Sequence, residues 1–252
     1  MAETLLPEFR VGKPDVGEAL DITVRAYEAM AHPLGEEQGQ SLEQDFKFLT
    51  KLAGYDGRLY VEPPKDVKFD DIVRAIDRQS SASVPKIYGD ARPPKRNEDQ
   101  HAPELLETHL AVFNTSETDD VDGLLHFLGI PYMDVYRERP HQTQLKAIEG
   151  IQKEVDSIHP QAILRPLGHR AIAMMILMDT IREIDPRSDD FILNTGGMLR
   201  LSHPERISVH DQFSTTDVYA LNGRFFFGNS SYTSYPNCGV GLTIGLKNLS
   251  AA

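Results

Sequence analysis

Asp217-Val-Tyr-Ala-Leu-Asn-Gly-Arg-Phe-Phe-Phe-Gly228 is the stretch from which the rest of the chain is read. Two apolar, β-prone runs flank Asn222-Gly223. A two-residue connection between right-twisted strands needs positive φ at both central residues, and Asn and Gly tolerate that best. The register follows: Leu221 opposes Arg224, Ala220 opposes Phe225, Tyr219 opposes Phe226 and Val218 opposes Phe227. Side chains alternate along a strand. One face therefore carries Val218, Ala220, Phe225 and Phe227; the other carries Tyr219, Leu221, Arg224 and Phe226. Neither face is polar enough for a sheet with one wet side. The hairpin is expected to lie between layers or against a partner.

Toward the C-terminus, Asn229-Ser-Ser-Tyr-Thr-Ser-Tyr-Pro-Asn237 reads as a loop. Tyrosine offers large contact area at low entropic cost, and Ser and Asn offer adaptable hydrogen bonding. Tyr232, Tyr235 and Asn237 thus join Tyr219 and Phe226 as candidate binding residues. Gly239-Val-Gly-Leu-Thr-Ile-Gly-Leu246 reads as a closing strand, with Val240, Leu242, Ile244 and Leu246 on one face and Gly239, Gly241, Thr243 and Gly245 on the other. A glycine face implies close approach of another backbone or a ligand, which adds Gly241 to the candidates. These glycines do not form a phosphate loop. Such a loop must lead into a helix N-terminus, and only Lys247 to Ala252 follow.

Upstream, strands are expected at Phe191 to Asn194, Met198 to Leu201 and Ile207 to Val209. The total is about six short, mostly antiparallel strands between about residues 188 and 246. Charge changes at the same place. From Ser188 onward there are five acidic and four basic residues, leaving 33 acidic and 22 basic before it. The fold class expected is α+β: a helical N-terminal part (about 1–187) packed on a C-terminal, mostly antiparallel sheet.

Within that helical part, Asp15 should open a helix ended by Pro33 and Gly35. Ser41, with Gln44 in capping-box position, should start a second, presenting Leu42, Phe46, Leu49 and Leu52. A third should cover Phe69 to Gln79, with Ile72, Val73 and Ile76 inward. Residues 89–103, with Pro93-Pro94 and dense charge, read as a linker or long loop. They separate a helical segment (1–88) from helices plus sheet (104–252), or interrupt one continuous domain. Pro103 should open a further helix, with His109 half-buried on its apolar stripe. The acidic run Ser116 to Asp122 reads as the first turn of the next. Gln142 to Ile158 is an amphipathic helix. Pro166 to Ile184, apolar all round at Ala171-Ile-Ala-Met-Met-Ile-Leu-Met178, is the expected central core helix.

The formal net charge of −12 repels phosphates, which argues against nucleic acid and anionic membranes as partners. The longest apolar run falls well short of the roughly 20 residues that span a bilayer. The start lacks the basic and apolar regions of a secretory signal. The single cysteine, Cys238, allows no intrachain disulfide and fits a reducing cytoplasm.

For chemistry, Cys238 sits at a loop-to-strand junction, with His203, His210 and Asp211 in the same region. A thiolate nucleophile needs an imidazole, and the imidazole an acid to orient it. These four residues form the candidate catalytic set of a hydrolase or transferase. Two further ideas fail on their own terms: Asp185 to Asp190 lacks the glycine and distal glutamate of a calcium loop, and His210-Asp211 lacks helical metal ligands. No metal or cofactor is expected. The first reading is a non-enzymatic interaction or assembly module that binds a protein partner, or itself, through the C-terminal β region. The alternatives are the Cys238 enzyme and a small-molecule-binding protein with a pocket near Met174, Met175 and Phe225 to Phe227.

Overall fold

A computed structural model describes residues 12–52, 57–79, 87–88, 102–112, 141–185, 198–207, 212–221, 224–231, 238–240 and 242–247. The protein is α+β, and the described residues form five helices and nine strands.

Helix α1 (Val16–Ala29) starts where its sequence says it should. The Asp15 carboxylate accepts a hydrogen bond from the Glu18 N–H at 3.0 Å and so satisfies one of the orphan donors of the first turn. It buries Ala19, Ile22, Thr23, Ala26 and Tyr27. Helix α2 (Glu36–Leu52) begins six residues earlier than an N-cap at Ser41 implies. Gln38 Oε1 accepts the Gly35 N–H at 3.0 Å, so the reciprocal half of a capping box closes there rather than at Ser41. Leu42, Phe46 and Leu49 are buried as expected. Helix α3 (Phe69–Gln79) covers its expected span and buries Ile72, Val73 and Ile76.

The expectation of a wholly helical N-terminal part packed on one C-terminal sheet of about six strands is corrected. Strand β1 (Gly57–Glu62), β3 (Glu107–Val112) and β4 (Ala162–Pro166) come from the first part of the chain. They pair with β9 (Leu242–Leu246) in a four-stranded antiparallel sheet of order β1-β3-β9-β4. The helix expected after Pro103 is β3 instead. Its apolar spacing fits either period, and pairing with β1 and β9 on both sides selects the strand.

Helix α4 (His141–Ile158) packs on β4. Helix α5 (His169–Ile181) is buried around its whole circumference, as its sequence demands, and packs on α1, α3 and β1. Met174 and Met175 lie fully buried in this core.

The second sheet has order β2-β7-β6-β5-β8. It comprises β2 (Ile87–Tyr88), β5 (Met198–Ile207), β6 (Gln212–Leu221), β7 (Arg224–Ser231) and β8 (Cys238–Val240). The β6–β7 register is the one read from Asn222-Gly223, from Leu221 opposite Arg224 to Val218 opposite Phe227. It continues to Ser231, so Asn229 to Ser231 belong to β7 and not to the loop. The two strands expected around Leu201 and Ile207 are one ten-residue strand, β5, with a register shift between Arg200 and Pro204. The closing strand divides: Val240 pairs with β5 in this sheet, and Leu242 pairs with β4 in the other. The expected strand at Phe191 to Asn194 and the acidic run at Ser116 to Asp122 lie outside the described residues.

Antiparallel register fixes the faces of the first sheet. Residues opposite each other share a face, and i, i+2 alternation extends it. One face carries Leu59, Val61, Leu110, Leu164, Leu242 and Ile244, all in the apolar core. The other carries Arg58, Tyr60, Glu62, Glu107, His109, Thr243, Gly245 and Arg165. That face is polar, yet Tyr60, Glu62, His109 and Thr243 on it are buried.

Candidate functional site

Buried polar groups need partners, and the polar face of the first sheet supplies them in two groups. The first centres on Asp179 of α5, which is fully buried. The Tyr60 hydroxyl donates to Asp179 Oδ1 at 2.9 Å, Arg182 Nη1 donates to the same oxygen at 3.1 Å, and Arg58 Nη1 reaches Oδ2 at 3.4 Å. Arg182 also donates to Glu18 at 2.6 Å and to the Leu59 carbonyl at 3.0 Å, and its guanidinium lies 5.0 Å from the Tyr60 ring centre. Burial first, and the Asp179 charge second, push the Tyr60 phenol well above its ordinary value. Burial works against the charge on Arg58 and Arg182, but Tyr60 and Asp179 outweigh it and both guanidiniums are raised. This group joins β1, α1 and α5, and its hydrogen bonding reads as a structural clamp.

Arg170 performs a similar task nearby. Its guanidinium donates to the carbonyls of Pro63, Pro64 and Val67 at 3.0, 2.8 and 2.6 Å. Those contacts hold the turn that follows β1, and with it the end of the strand where Glu62 stands.

The second group is chemically richer. Glu62 ends β1, Glu107 opens β3 opposite it, and His109 lies two residues along β3 on the same face. Their ligand atoms lie within 4.8 Å of one another. His109 is 1 % exposed. Its Nδ1 is 2.8 Å from Thr243 Oγ1 on β9, and its Nε2 has no hydrogen-bond partner and stands 3.6 Å from Glu62 Oε2. Thr243 donates its own hydroxyl proton to the Arg165 carbonyl at 3.4 Å. Arg165 of β4 pairs with Glu107 at 2.5 Å and donates to the Leu246 carbonyl at 2.7 Å.

Gly245 explains how that arginine fits. A Cβ there would stand on Arg165 Nε, 2.6 Å from Arg165 Cδ and 3.0 Å from the Thr108 carbonyl. The close approach expected over the glycine face is, at Gly245, a side chain of the neighbouring strand.

Of the residues singled out from sequence, Cys238, His203, Tyr219 and Phe226 are described. Cys238 opens β8 opposite Met198 of β5. His203 stands on β5 within the register shift between Arg200 and Pro204. Tyr219 and Phe226 are paired across β6 and β7. His210, Asp211, Tyr232, Tyr235, Asn237 and Gly241 lie outside the described residues.

Glu62, Glu107, His109, Thr243 and Arg165 escaped the sequence reading. The sequence pattern places His109 on a helix stripe and marks nothing at Glu62. The usable signal was the i, i+2 spacing of Glu107 and His109, which puts two metal- or proton-binding groups on one face once that segment is a strand.

Comparison with protein-family models, with curated proteins and with solved structures returns no match. No helix among the described residues is long and apolar enough to cross a membrane.

Proposed function

We propose that the chain is a non-enzymatic assembly module that self-associates through the outer edge of β7. The observation that carries this reading is the mismatch between β7 and its neighbour. Strand β7 has eight residues, and among the described residues β2 pairs with two of them, Phe225 and Phe226. Among the described residues no strand covers Phe227 to Ser231 on that side.

A two-residue hairpin makes its closing pair mutually hydrogen-bonded, and bonded pairs then alternate with non-bonded ones. Arg224, Phe226, Gly228 and Ser230 therefore turn their backbone groups toward β6. Phe227, Asn229 and Ser231 turn theirs outward. An exposed row of N–H and C=O groups is a template for another strand, which proteins usually guard with charge or proline. The segment Phe225 to Ser231 has neither. The other long strand of the sheet is different: β5 beyond β8 carries Pro204, Glu205 and Arg206.

The occupant we assign is a second copy of this chain. Two β7 strands paired about a two-fold axis give each copy the same contact and extend the sheet without a new surface. The net charge of −12 argues against nucleic acid as the partner. The lone cysteine supports a cytoplasmic setting.

The test is Asn229→Pro. Proline removes the outward N–H of Asn229 and leaves the β6–β7 ladder intact, because that ladder does not use it. Sedimentation velocity should show association weakened about tenfold or more, which corresponds to one or two backbone hydrogen bonds per interface. The far-UV spectrum should stay unchanged. Equal association of the variant and the parent would remove the proposal.

A further inference from the structure

We propose that Glu62, Glu107 and His109 form a binding site for a divalent first-row transition metal, with zinc the best match. The inference is independent of the assembly reading.

His109 is the centre of the site. Its Nδ1 is held 2.8 Å from the Thr243 hydroxyl oxygen. Its Nε2 is buried, makes no hydrogen bond and stands 3.6 Å from the Glu62 carboxylate, a pure acceptor. With Thr243 accepting from Nδ1, as its own contact to the Arg165 carbonyl allows, the neutral ring keeps its lone pair on Nε2. A metal ion between that lone pair and the carboxylate satisfies both.

Geometry favours the metal. A buried imidazolium beside a carboxylate forms a short, charge-assisted hydrogen bond of about 2.7–2.9 Å. The observed 3.6 Å is too long for any hydrogen bond. It is close to the edge of a coordination tetrahedron, about 3.4 Å for ligands about 2.1 Å from zinc. The third ligand falls within the same 4.8 Å envelope. A metal-ligating histidine typically donates its other N–H to an oxygen that orients it, and Thr243 holds that position.

Charge points the same way. Two carboxylates and one guanidinium leave a neutral-imidazole cluster one negative charge in excess, in a place where His109 is 1 % exposed. Arg165 does not exhaust Glu107, since a carboxylate offers about four lone-pair sites. A set of one imidazole and two carboxylates suits zinc, manganese or iron better than calcium, which takes six to eight oxygens. Three protein ligands leave a coordination position for water.

The test uses the full chain, stripped with EDTA, checked for folding by circular dichroism and titrated calorimetrically with zinc chloride. We expect one zinc per chain, and a visible absorption band when cobalt(II) replaces it. Glu62→Gln removes one ligand without changing volume and should weaken zinc binding about 100-fold or more. Thr243→Val keeps the shape, leaves His109 Nδ1 unheld and should weaken binding about tenfold. If Glu62→Gln fails to fold, Thr243→Val carries the test alone. Zinc uptake that is absent in the folded parent would overturn the assignment, as would equal uptake in the folded variants.

Discussion

Replacing Gly245 by alanine probes the packing of the polar face directly. The new Cβ would stand on Arg165 Nε and 2.6 Å from Cδ, so the guanidinium must leave its place. It would surrender the Glu107 pair and the hydrogen bond to the Leu246 carbonyl. The Arg165 and Glu107 side chains are 15 % and 18 % exposed. Breaking a fully buried pair costs about 3–5 kcal/mol, and partial solvent contact lowers that to about 2–3 kcal/mol. Alanine recovers about 0.5–1 kcal/mol of strand stability relative to glycine. The net expectation is a loss of about 1–2 kcal/mol. The chain has no tryptophan, so urea unfolding followed by far-UV circular dichroism is the natural assay. The midpoint should fall by roughly 0.5 M. The decisive comparison is a double-mutant cycle. In an Arg165→Ala background, Gly245→Ala should be neutral or stabilising, because the arginine is no longer there to displace. If the variant were as stable as the parent, Arg165 would not lie over Gly245. If the loss persisted in the Arg165→Ala background, the approach of the Thr108 carbonyl, and not the arginine, would be the cause.

Two further expectations concern titration and the clamp. Tyr60→Phe keeps the ring beside Arg182 but removes a hydrogen bond to a buried carboxylate, and should cost about 1.5–3 kcal/mol in the same assay. Because the folded-state value of Tyr60 is raised, its contribution is present below about pH 10 and is lost as pH rises toward the folded value. The phenylalanine variant should therefore lose less stability in alkali than the parent; an unchanged alkaline slope would count against the clamp. Asp71 behaves in the opposite sense. Slight burial pushes it up, but hydrogen bonds from Arg74, the Lys68 N–H and His32 hold it below its ordinary value. Asp156 is likewise held low by Lys247 and Gln152. Their contributions are present above about pH 4 and lost as pH falls through the lowered values. Asp71→Asn combined with Asp156→Asn should flatten the fall of the urea midpoint in acid, and an unaltered fall would refute that account.

What was legible in the sequence was local. Asn222-Gly223 fixed a hairpin register because a two-residue turn leaves the strands one way to pair. Asp15 announced α1 because a capping side chain bonds an amide three residues on. The unbroken apolar run of Ala171 to Met178 announced a helix buried on every side. Strands β1, β3 and β4 were not legible, because both of their faces are covered and one of those faces is polar. Tyr60, Glu62, Glu107 and His109 therefore break the expected alternation, and Leu106, Leu110 and Val112 fit a helix as well as a strand. The partner that makes β3 a central strand, β9, lies more than a hundred residues away in the chain. The candidate site inherits the same difficulty. Its members stand on β1, β3, β4 and β9, and no motif spacing links residues that only sheet register brings together.

The central functional claim is self-association through β7, and native mass spectrometry of the purified parent chain tests it most directly. The account predicts a dimer at twice the chain mass, reduced toward monomer by Asn229→Pro. A parent chain that remains monomeric at every concentration tested would contradict it.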